Sequence, residues 1–256
     1  MYFSVLGSGS KGNSIYIESG STAILIDVGF SGKETANRLQ SVGRSIEELD
    51  AIFVTHEHQD HIHGVGVLSR RCQIPVYSNY GTIKGGEKVL GKLFRHCEFE
   101  TGEIVTMNDL QVRSFSVSHD AADPVGFIID NGKTIFACCT DTGKVSRLVR
   151  QRLTGCHVLV LEFNHDLQML KEGPYSAALQ QRVRSDHGHL SNGDAADFLQ
   201  TLIHDQLQFV ILGHLSDTNN RPDLALKAAM NVIGAAPICL RVASQSEATD
   251  LVSVGK

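Results

Sequence analysis

Several features of other protein classes are missing from this chain of 256 residues. It contains no apolar run long enough to cross a membrane as a helix, so we expect no membrane partner. Its start, Met1 to Leu6, has no basic region ahead of an apolar one and predicts a short strand instead of a signal peptide. Its six cysteines include no C-x-x-C pair and lie mostly in apolar runs, which is typical of free thiols in a reducing compartment. We therefore expect a cytoplasmic protein.

An excess of positive charge is also missing. The formal net charge is −5, and the chain is 42% hydrophobic and 20% charged, which is ordinary for a globular enzyme. A chain of this length can bury one large core, either as a single domain or as two fused halves. The charge excludes a protein held on nucleic acid by an overall basic surface, but it excludes neither a nucleic acid substrate nor a small one.

Histidine, in contrast, is abundant and clustered. Three of the twelve histidines fall within six residues that also contain an aspartate. The apolar run Ala51–Val54 before them predicts a buried strand, so these side chains follow a strand end, where ligand sites of α/β sheets lie. His56 and His58 are close enough in sequence to bind one ion, and Asp60 and His61 can face a second. We interpret the stretch as a metal site, not a solvated loop, and expect further ligands from elsewhere.

Polar side chains also follow other predicted strands. Asp27 lies in the apolar run 23–29, where an unpaired acid would be costly to bury. It could be a metal ligand or a group that fixes the histidine loop, and we expect the latter. His119, Asp141 and His214 each follow the end of a predicted strand and are further candidate ligands.

A loop of small and polar residues, Gly7 to Asn13, joins two predicted strands. Its exposed backbone N–H groups could cradle a phosphate, but it lacks P-loop spacing and a strand follows it, so we predict a hairpin. A second hairpin is predicted around Asp130–Gly132. Helices are predicted over residues 143–153 and 175–185.

Positive charge is local. The segment Gly81–Phe94 carries Lys84, Lys88 and Lys92 at a spacing of four residues, which predicts a basic helix face. Such a face is usually only solvated, but it could also attract a polyanion towards the site. Further basic residues in segments flanking the candidate ligands are Arg70, Arg71, Lys144, Arg147, Arg182 and Arg184.

The pattern His-x-His-x-Asp-His, followed by the three later candidates, resembles the metallo-β-lactamase superfamily of metal-dependent hydrolases. Four strings resemble its YycJ- and WalJ-like branch, close to the nuclease members: Gly9–Ser14, Leu161–Asp166, Gly188–Asn192 and Gly213–Ser216. The resemblance implies an α/β fold, a four-layer αβ/βα sandwich, here one domain over residues 1–256 made of two αβ halves.

The resemblance also implies a ligand set for two divalent ions. The implied ligands are His56, His58 and His119 for one ion, Asp60, His61 and His214 for the other, and Asp141 as the bridge. Two ions roughly 3.5–4 Å apart can share a hydroxide, and zinc lowers the pKa of bound water to about 7. Zinc suits histidine-rich donors, and manganese is compatible with nitrogen and oxygen ligands.

These features predict a metal-dependent hydrolase, and the resemblance implies a phosphodiesterase with 5′-to-3′ exonuclease action on DNA in preference to RNA. The alternative is a small-molecule hydrolase of thioesters or lactones on the same scaffold. Glu162 could donate a proton to the leaving group or hydrogen-bond a metal-bound histidine, and we favour the latter. His189 could touch a substrate phosphate or pack under the following helix, and both remain open.

Overall fold

Two mixed sheets of seven strands each form the centre of the structure, a computed structural model that describes residues 1–255. The strands of the first sheet are β1 (Tyr2–Gly7), β2 (Ser14–Ser19), β3 (Thr22–Ile26), β4 (Ala51–Phe53), β5 (Pro75–Ser78), β6 (Arg95–Glu98) and β14 (Val252–Ser253). Those of the second are β7 (Ile104–Met107), β8 (Leu110–Ser116), β9 (Val125–Asp130), β10 (Ile135–Cys139), β11 (Val158–Glu162), β12 (Phe209–Gly213) and β13 (Cys239–Val242).

The helices are α1 (Gly32–Ser41), α2 (Gln59–Ile62), α3 (Val65–Cys72), α4 (Tyr80–Leu90), α5 (Arg147–Leu153), α6 (Leu167–Glu172), α7 (Ala177–Val183), α8 (Asn192–Gln200) and α9 (Pro222–Ile233), with a 3₁₀ helix at Ile46–Glu48. No helix within residues 1–255 is both long enough and apolar enough to span a bilayer. All six cysteines are free thiols.

The two sheets are built in the same way. In the first, β1, β2 and β3 are antiparallel, and β3 to β6 are parallel, with β14 antiparallel to β1 at the outer edge. In the second, β7 to β10 are antiparallel, and β10 to β13 are parallel. Each half therefore changes from antiparallel to parallel pairing at one strand, β3 or β10, and the parallel strands present their carboxyl ends at one edge.

Alternation along the strands produces the layers. Ile24 and Ile26 of β3 face the core between the two sheets, whereas Leu25 between them packs under the helices of its own half. Phe3 and Phe136 meet across the sheets with ring centroids 5.4 Å apart, and burying each such side chain contributes roughly 2 kcal/mol. Helices cover the outer faces, so the predicted four-layer αβ/βα sandwich is confirmed.

Local differences from the predicted elements have local causes. The strand predicted over residues 23–29 ends at Ile26 because Asp27 adopts a left-handed backbone conformation with φ of 59°. The helix predicted over 143–153 begins only at Arg147, where the side chain of Ser146 accepts the N–H of Val149 and caps it.

The helix predicted over 175–185 is likewise shorter, because the side chain of Ser176 caps it at Ala177. The loop Gly7–Asn13 does connect antiparallel neighbours, as predicted. The hairpin predicted around Asp130–Gly132 joins β9 to β10. Three elements had no predicted counterpart: the 3₁₀ helix Ile46–Glu48, β6, whose side chains are mainly polar, and α6, which Asp166 caps.

Candidate metal centre

Three of the five non-glycine residues with positive φ surround one site. Asp27 and His214, with φ of 59° and 55°, come directly after β3 and β12, and Asp141, with φ of 56°, is the second residue after β10. Non-glycine residues rarely adopt this conformation, and it persists where the surrounding structure enforces it, often at functional sites. Each strand thus ends in a sharp change of direction that places a buried polar side chain at the same edge of the sheets.

The histidine cluster occupies the turn between β4 and α2. His56 follows the strand, His58 precedes the first turn of α2, and Asp60 and His61 lie within that helix. The rings of His56 and His61 are buried with centroids 4.1 Å apart. A strand-to-helix turn therefore brings four potential donors to one point, as the sequence predicted.

Asp141 lies at the middle of the donor set. Its Oδ1 is 3.3 Å from His214 Nε2 and 3.9 Å from His119 Nε2, and its Oδ2 is 3.5 Å from His61 Nε2. Both carboxylate oxygens thus face imidazole nitrogens from different loops. This is the arrangement expected of a carboxylate shared between two ions.

The remaining donor separations have similar lengths. His58 Nδ1 is 3.3 Å from His119 Nε2, and Asp60 Oδ2 is 3.7 Å from His61 Nε2 and 3.8 Å from His214 Nε2. Ligand atoms at zinc–nitrogen distance in a tetrahedron lie about 3.3 Å from one another. Groups that can hold a metal ion include His56 with His58 and His119, Asp60 with His61 and His214, and His56 with His61 and Asp141.

Several atoms of this centre lack a protein partner. His56 Nε2, His214 Nε2 and Asp141 Oδ2 are buried and make no hydrogen bond within the part of the chain that the structure describes. Burial, together with the neighbouring imidazoles, holds the pKa of His56 well below its ordinary value, so this ring is neutral, the form that binds metals. Because buried polar atoms are normally paired, the set fits divalent metal ions.

The charges lead to the same conclusion. Burial alone would raise the pKa of Asp141, but His214 and His61 hold it below its ordinary value. Burial would lower the pKa of His61, but Asp141, Asp27 and Asp60 raise it to about 9. The pKa of His214 is raised well above its ordinary value, against its burial, mainly by Asp141. The buried carboxylates therefore attract positive charge into the centre, and divalent cations would supply that charge when bound.

Asp27 contacts the far side of the histidine loop. Its Oδ2 is 2.8 Å from His61 Nδ1 and accepts a hydrogen bond from Thr55 Oγ1, and its Oδ1 accepts the N–H of Thr55. These bonds leave His61 Nε2 directed at Asp141. Asp27 thus has the contacts of a group that fixes the loop, the second of the two roles considered for it.

Glu162 orients two other imidazoles. It is completely buried, and its Oε1 lies 2.8 Å from His189 Nδ1 and 2.9 Å from His214 Nδ1. Its Oε2 accepts the backbone N–H groups of Thr142 and Leu190. Burial would raise the pKa of Glu162, but these two histidines outweigh it and hold the pKa well below its ordinary value. An ionised, fully bonded carboxylate matches a histidine partner and not a proton donor.

His189 lies in the wall of the cavity over the centre. The cavity has a volume of about 200 Å³, and the ring of His189 lies 5.0 Å from that of His119 and 5.1 Å from that of His214. Since Nδ1 bonds Glu162, Nε2 is the atom that remains for a bound group. The ring faces the site instead of packing only under α8.

Some residues at the site escaped the sequence analysis. Asn13 Nδ2 donates to Asp60 Oδ2 at 3.2 Å and lies 3.0 Å from His61 Nε2, so the hairpin loop also supports the centre. Tyr175 and Asn219 also line the cavity, and neither belongs to a sequence motif that would have marked it as a site residue. Arg182, noted only as basic, lies there too, and its Nε donates to Asp120 at 2.7 Å. The one signal in the sequence that could have pointed to Asn13 is its position at the end of a loop of small residues.

Comparisons with known proteins agree with this geometry. Residues 22–214 match the family described as Beta-lactamase superfamily domain. The chain is 39% identical to Exodeoxyribonuclease YycJ of Bacillus anthracis over 235 residues, which is 91% of this chain and 89% of that protein. It is 40% identical to Exodeoxyribonuclease WalJ of Streptococcus pneumoniae strain D39 over 241 residues, 92% of this chain and 89% of the relative.

A solved structure shows the same fold. The metallo-β-lactamase fold protein YhfI from Bacillus subtilis superposes with a TM-score of 0.74 at 18% identity, covering 97% of this chain and 98% of the other. The chain therefore belongs to the metallo-β-lactamase superfamily of metal-dependent hydrolases and, within it, to the branch that contains YycJ and WalJ.

Proposed function

We propose that this protein is an exodeoxyribonuclease that hydrolyses phosphodiester bonds of DNA from a 5′ end with two divalent ions, zinc or manganese. The observation that carries the proposal is the pair of donor groups that meet on either side of Asp141. The names of the two relatives at 39% and 40% identity support DNA as the substrate. The 5′ polarity rests on the resemblance to this branch alone.

In the proposed centre the chain supplies two unlike sites. The first consists of three imidazoles, from His56, His58 and His119. The second combines two imidazoles, from His61 and His214, with the carboxylate of Asp60, and Asp141 is the bridge. When bound, such ions lower the pKa of water and stabilise charge that develops on the phosphate.

Two buried carboxylates position these ligands. Asp27 fixes the His61 ring through Nδ1, so Nε2 faces the centre. Glu162 does the same for His214. Carboxylates that hold the second nitrogen of a ligating histidine fix its tautomer and strengthen its binding, and replacing them typically costs 10–100-fold in affinity or activity. We assign Glu162 this positioning role, with no part in proton donation.

The substrate would bind above the ions in the cavity. His189 Nε2 can contact a phosphate oxygen there, since Nδ1 is held by Glu162. Arg182 lies in the same wall, where Asp120 orients its guanidinium, a group that suits phosphate geometry. Tyr175 and Asn219 complete this polar wall. A polar wall with a guanidinium favours a phosphodiester over an apolar thioester or lactone.

The test is an assay of the purified protein with Mn²⁺ or Zn²⁺ on DNA and RNA labelled at either end, beside thioester and lactone substrates. We expect stepwise release of nucleotides from the 5′ end of DNA and little turnover of the small substrates. Asp60→Ala should remove the activity, whereas Asp205→Ala, at an exposed position, should not. Efficient thioester or lactone turnover that depends on Asp60, with nucleic acid untouched, would replace the nuclease by the alternative hydrolase.

A further inference from the structure

Helix α4 and the segment after it expose aromatic and basic side chains together. Tyr80 is 63% exposed at the start of the helix, and Phe94 is 52% exposed four residues after its end. Each of these rings has a cation near it, because Lys84 lies one helical turn after Tyr80, and Phe94 lines the same cavity as Lys84 and Arg95. We call this surface the α4 face; it consists of Tyr80, Lys84, Glu87, Lys88, Phe94 and Arg95.

The helical spacing aligns these groups along one stripe. Tyr80, Lys84 and Gly91 are separated by four and seven residues and so lie on the same side of α4 and its C-cap. Lys84, Phe94 and Arg95 line one shallow cavity of about 420 Å³ beside that stripe. From Tyr80 to Gly91 the helix rises about 16 Å, enough for a few nucleotides of an extended strand.

The charge of the α4 face is opposite to that of the whole chain. The formal net charge of the protein is −5, yet this face carries three cations and one acid. Lys84 lies 3.6 Å from the carboxylate of Glu87, and both side chains are exposed. Lys88 and Arg95 have no ion-pair partner within residues 1–255. The face therefore has cationic groups free to pair with phosphates.

Hydrogen bonds connect the start of α4 to the metal centre. Asn79 Nδ2 donates to the carbonyl of Asp123 at 2.7 Å, and the N–H of Ala122 donates to Glu57 Oε1 at 2.7 Å. Glu57 stands between two of the candidate ligands, and its side chain lies against Gly85 of α4. Tyr80 is thus next to the loops that carry the ligands, and α4 runs alongside the ligand loop as far as Gly85.

We propose that the α4 face binds the single-stranded part of a nucleic acid whose end lies in the metal centre. Exposed aromatic rings bind unpaired bases by stacking, and nearby cations pair with the backbone, a combination typical of single-strand binding. A duplex keeps its bases stacked on one another and would leave Tyr80 and Phe94 without partners. A protein partner fits less well, because lysine is depleted at protein–protein interfaces. The inference rests on the proposed function in one respect: it takes the bound single-stranded nucleic acid to be the substrate.

The first test compares two exposed tyrosines. The metal-loaded protein is titrated with fluorescent phosphorothioate single strands, which resist hydrolysis, of about 4 and about 20 nucleotides. Tyr80→Ala should weaken binding of the longer strand roughly 5-fold or more, since stacking contributes that much per base. Tyr2→Ala is the matched control. Tyr2 is also exposed, at 39%, but it lies at the start of β1, and the opposite end of that strand is the one near the metal centre. Melting temperatures of both variants should equal that of the wild type.

The second test removes a positive charge from the α4 face in one variant and a negative charge in another. Lys88→Gln should reduce the slope of log affinity against log salt by about 0.7, the value for one phosphate contact on a single strand. Lys133→Gln, at an exposed position in the turn between β9 and β10, should leave the slope unchanged. Glu87→Gln should instead tighten binding, because it removes the only acid of the α4 face and the carboxylate that pairs with Lys84.

The outcomes separate this inference from the proposed function. If the wild type hydrolyses DNA but Tyr80→Ala behaves like Tyr2→Ala, the α4 face is not the binding surface and the nuclease assignment stands. Equal affinity for the short and long strands, or tighter binding of duplex that Tyr80→Ala does not change, also overturns the inference. If strands bind on the α4 face but no nucleic acid is hydrolysed, the proposed function fails and the binding surface stands.

Discussion

Two aspartates occupy corresponding places in the two sheets and contact opposite nitrogens of the same histidine. Asp27 follows β3 and Asp141 follows β10, the strands at which each half changes to parallel pairing. Both residues have left-handed φ, at 59° and 56°. Asp27 Oδ2 is 2.8 Å from His61 Nδ1, and Asp141 Oδ2 is 3.5 Å from His61 Nε2.

The difference lies in what else each carboxylate can bond. Thr55 donates to both oxygens of Asp27, through its N–H and its hydroxyl, so hydrogen bonds saturate this carboxylate. Asp141 receives no comparable donor, and its Oδ2 has no hydrogen-bond partner within residues 1–255. The same backbone turn thus yields a positioning group in one half and a candidate ligand in the other. Neighbouring donors, not place in the sheet, decide the role.

The largest effect is expected when the candidate ligand of this pair is changed. Asp141→Asn keeps the shape of the side chain but removes the charge facing three imidazoles. We expect hydrolysis to fall by more than about 100-fold, beyond the range found for residues that only orient ligands. Bound metal should fall with it, as elemental analysis of the purified protein would measure. An active Asp141→Asn protein with full metal content would show that the bridge is misassigned.

The corresponding change in the first half should be milder. Asp27→Asn removes the anion that holds His61 Nδ1 but keeps an oxygen that can accept from Thr55. We expect a loss of metal affinity or activity between about 10-fold and 100-fold. Metal titration of both aspartate variants provides the measurement. Equal losses for Asp27→Asn and Asp141→Asn would remove the distinction drawn between the two halves.

The same contrast explains how much the sequence could predict. In the first half, four candidate ligands lie within six residues, so a local pattern identified them. In the second half each candidate follows a different strand, and only the resemblance to a family connected His119, Asp141 and His214. The strand order that joins these loops depends on long-range pairing, which no local pattern contains.

Residues without a characteristic motif were beyond prediction. Asn13 supports the centre from a loop that was interpreted only as a hairpin, and Tyr175 enters the cavity from a short turn before α7. The sequence reduced the role of Glu162 to two alternatives, a proton donor or a hydrogen-bond partner of a metal-bound histidine, because it is a single acid after an apolar strand. The partners that decide its role, His189 and His214, are 27 and 52 residues away.

A smaller effect, on stability, is expected from His165, three residues beyond Glu162. Its ring is buried, neither nitrogen has a partner within residues 1–255, and burial lowers its pKa to about 4. Between this value and the ordinary pKa of about 6.5, the unfolded chain binds more protons than the folded one, so stability falls as the pH is lowered. At about pH 5 this costs about 2 kcal/mol of unfolding free energy relative to neutral pH.

His165→Gln should remove this part of the acid sensitivity. Urea unfolding of the variant and the wild type at about pH 8 and pH 5 measures the difference between their pH responses, which cancels the contribution of the metal ligands. His187→Gln, at an exposed position, is the control and should respond as the wild type does. A variant that loses as much stability in acid as the wild type would show that His165 is not a source of this sensitivity.

The smallest effect is expected two residues beyond His61, where the sequence alone does not separate ligand from bystander. His63 continues the histidine-rich stretch, but it is exposed at the end of α2, and its imidazole makes no hydrogen bond in the described part of the chain. His63→Ala should change activity by less than about 2-fold and stability by no more than about 0.5 kcal/mol, as for an ordinary surface substitution. His61→Ala, which removes the imidazole between Asp27 and Asp141, should abolish activity. Activity on a chromogenic phosphodiester and metal content, measured for both variants, give the comparison. If His63→Ala in a folded protein were as damaging as His61→Ala, the imidazole shared by the two halves would not be the one identified, and the contrast between the two aspartates would have to be redrawn around another ring.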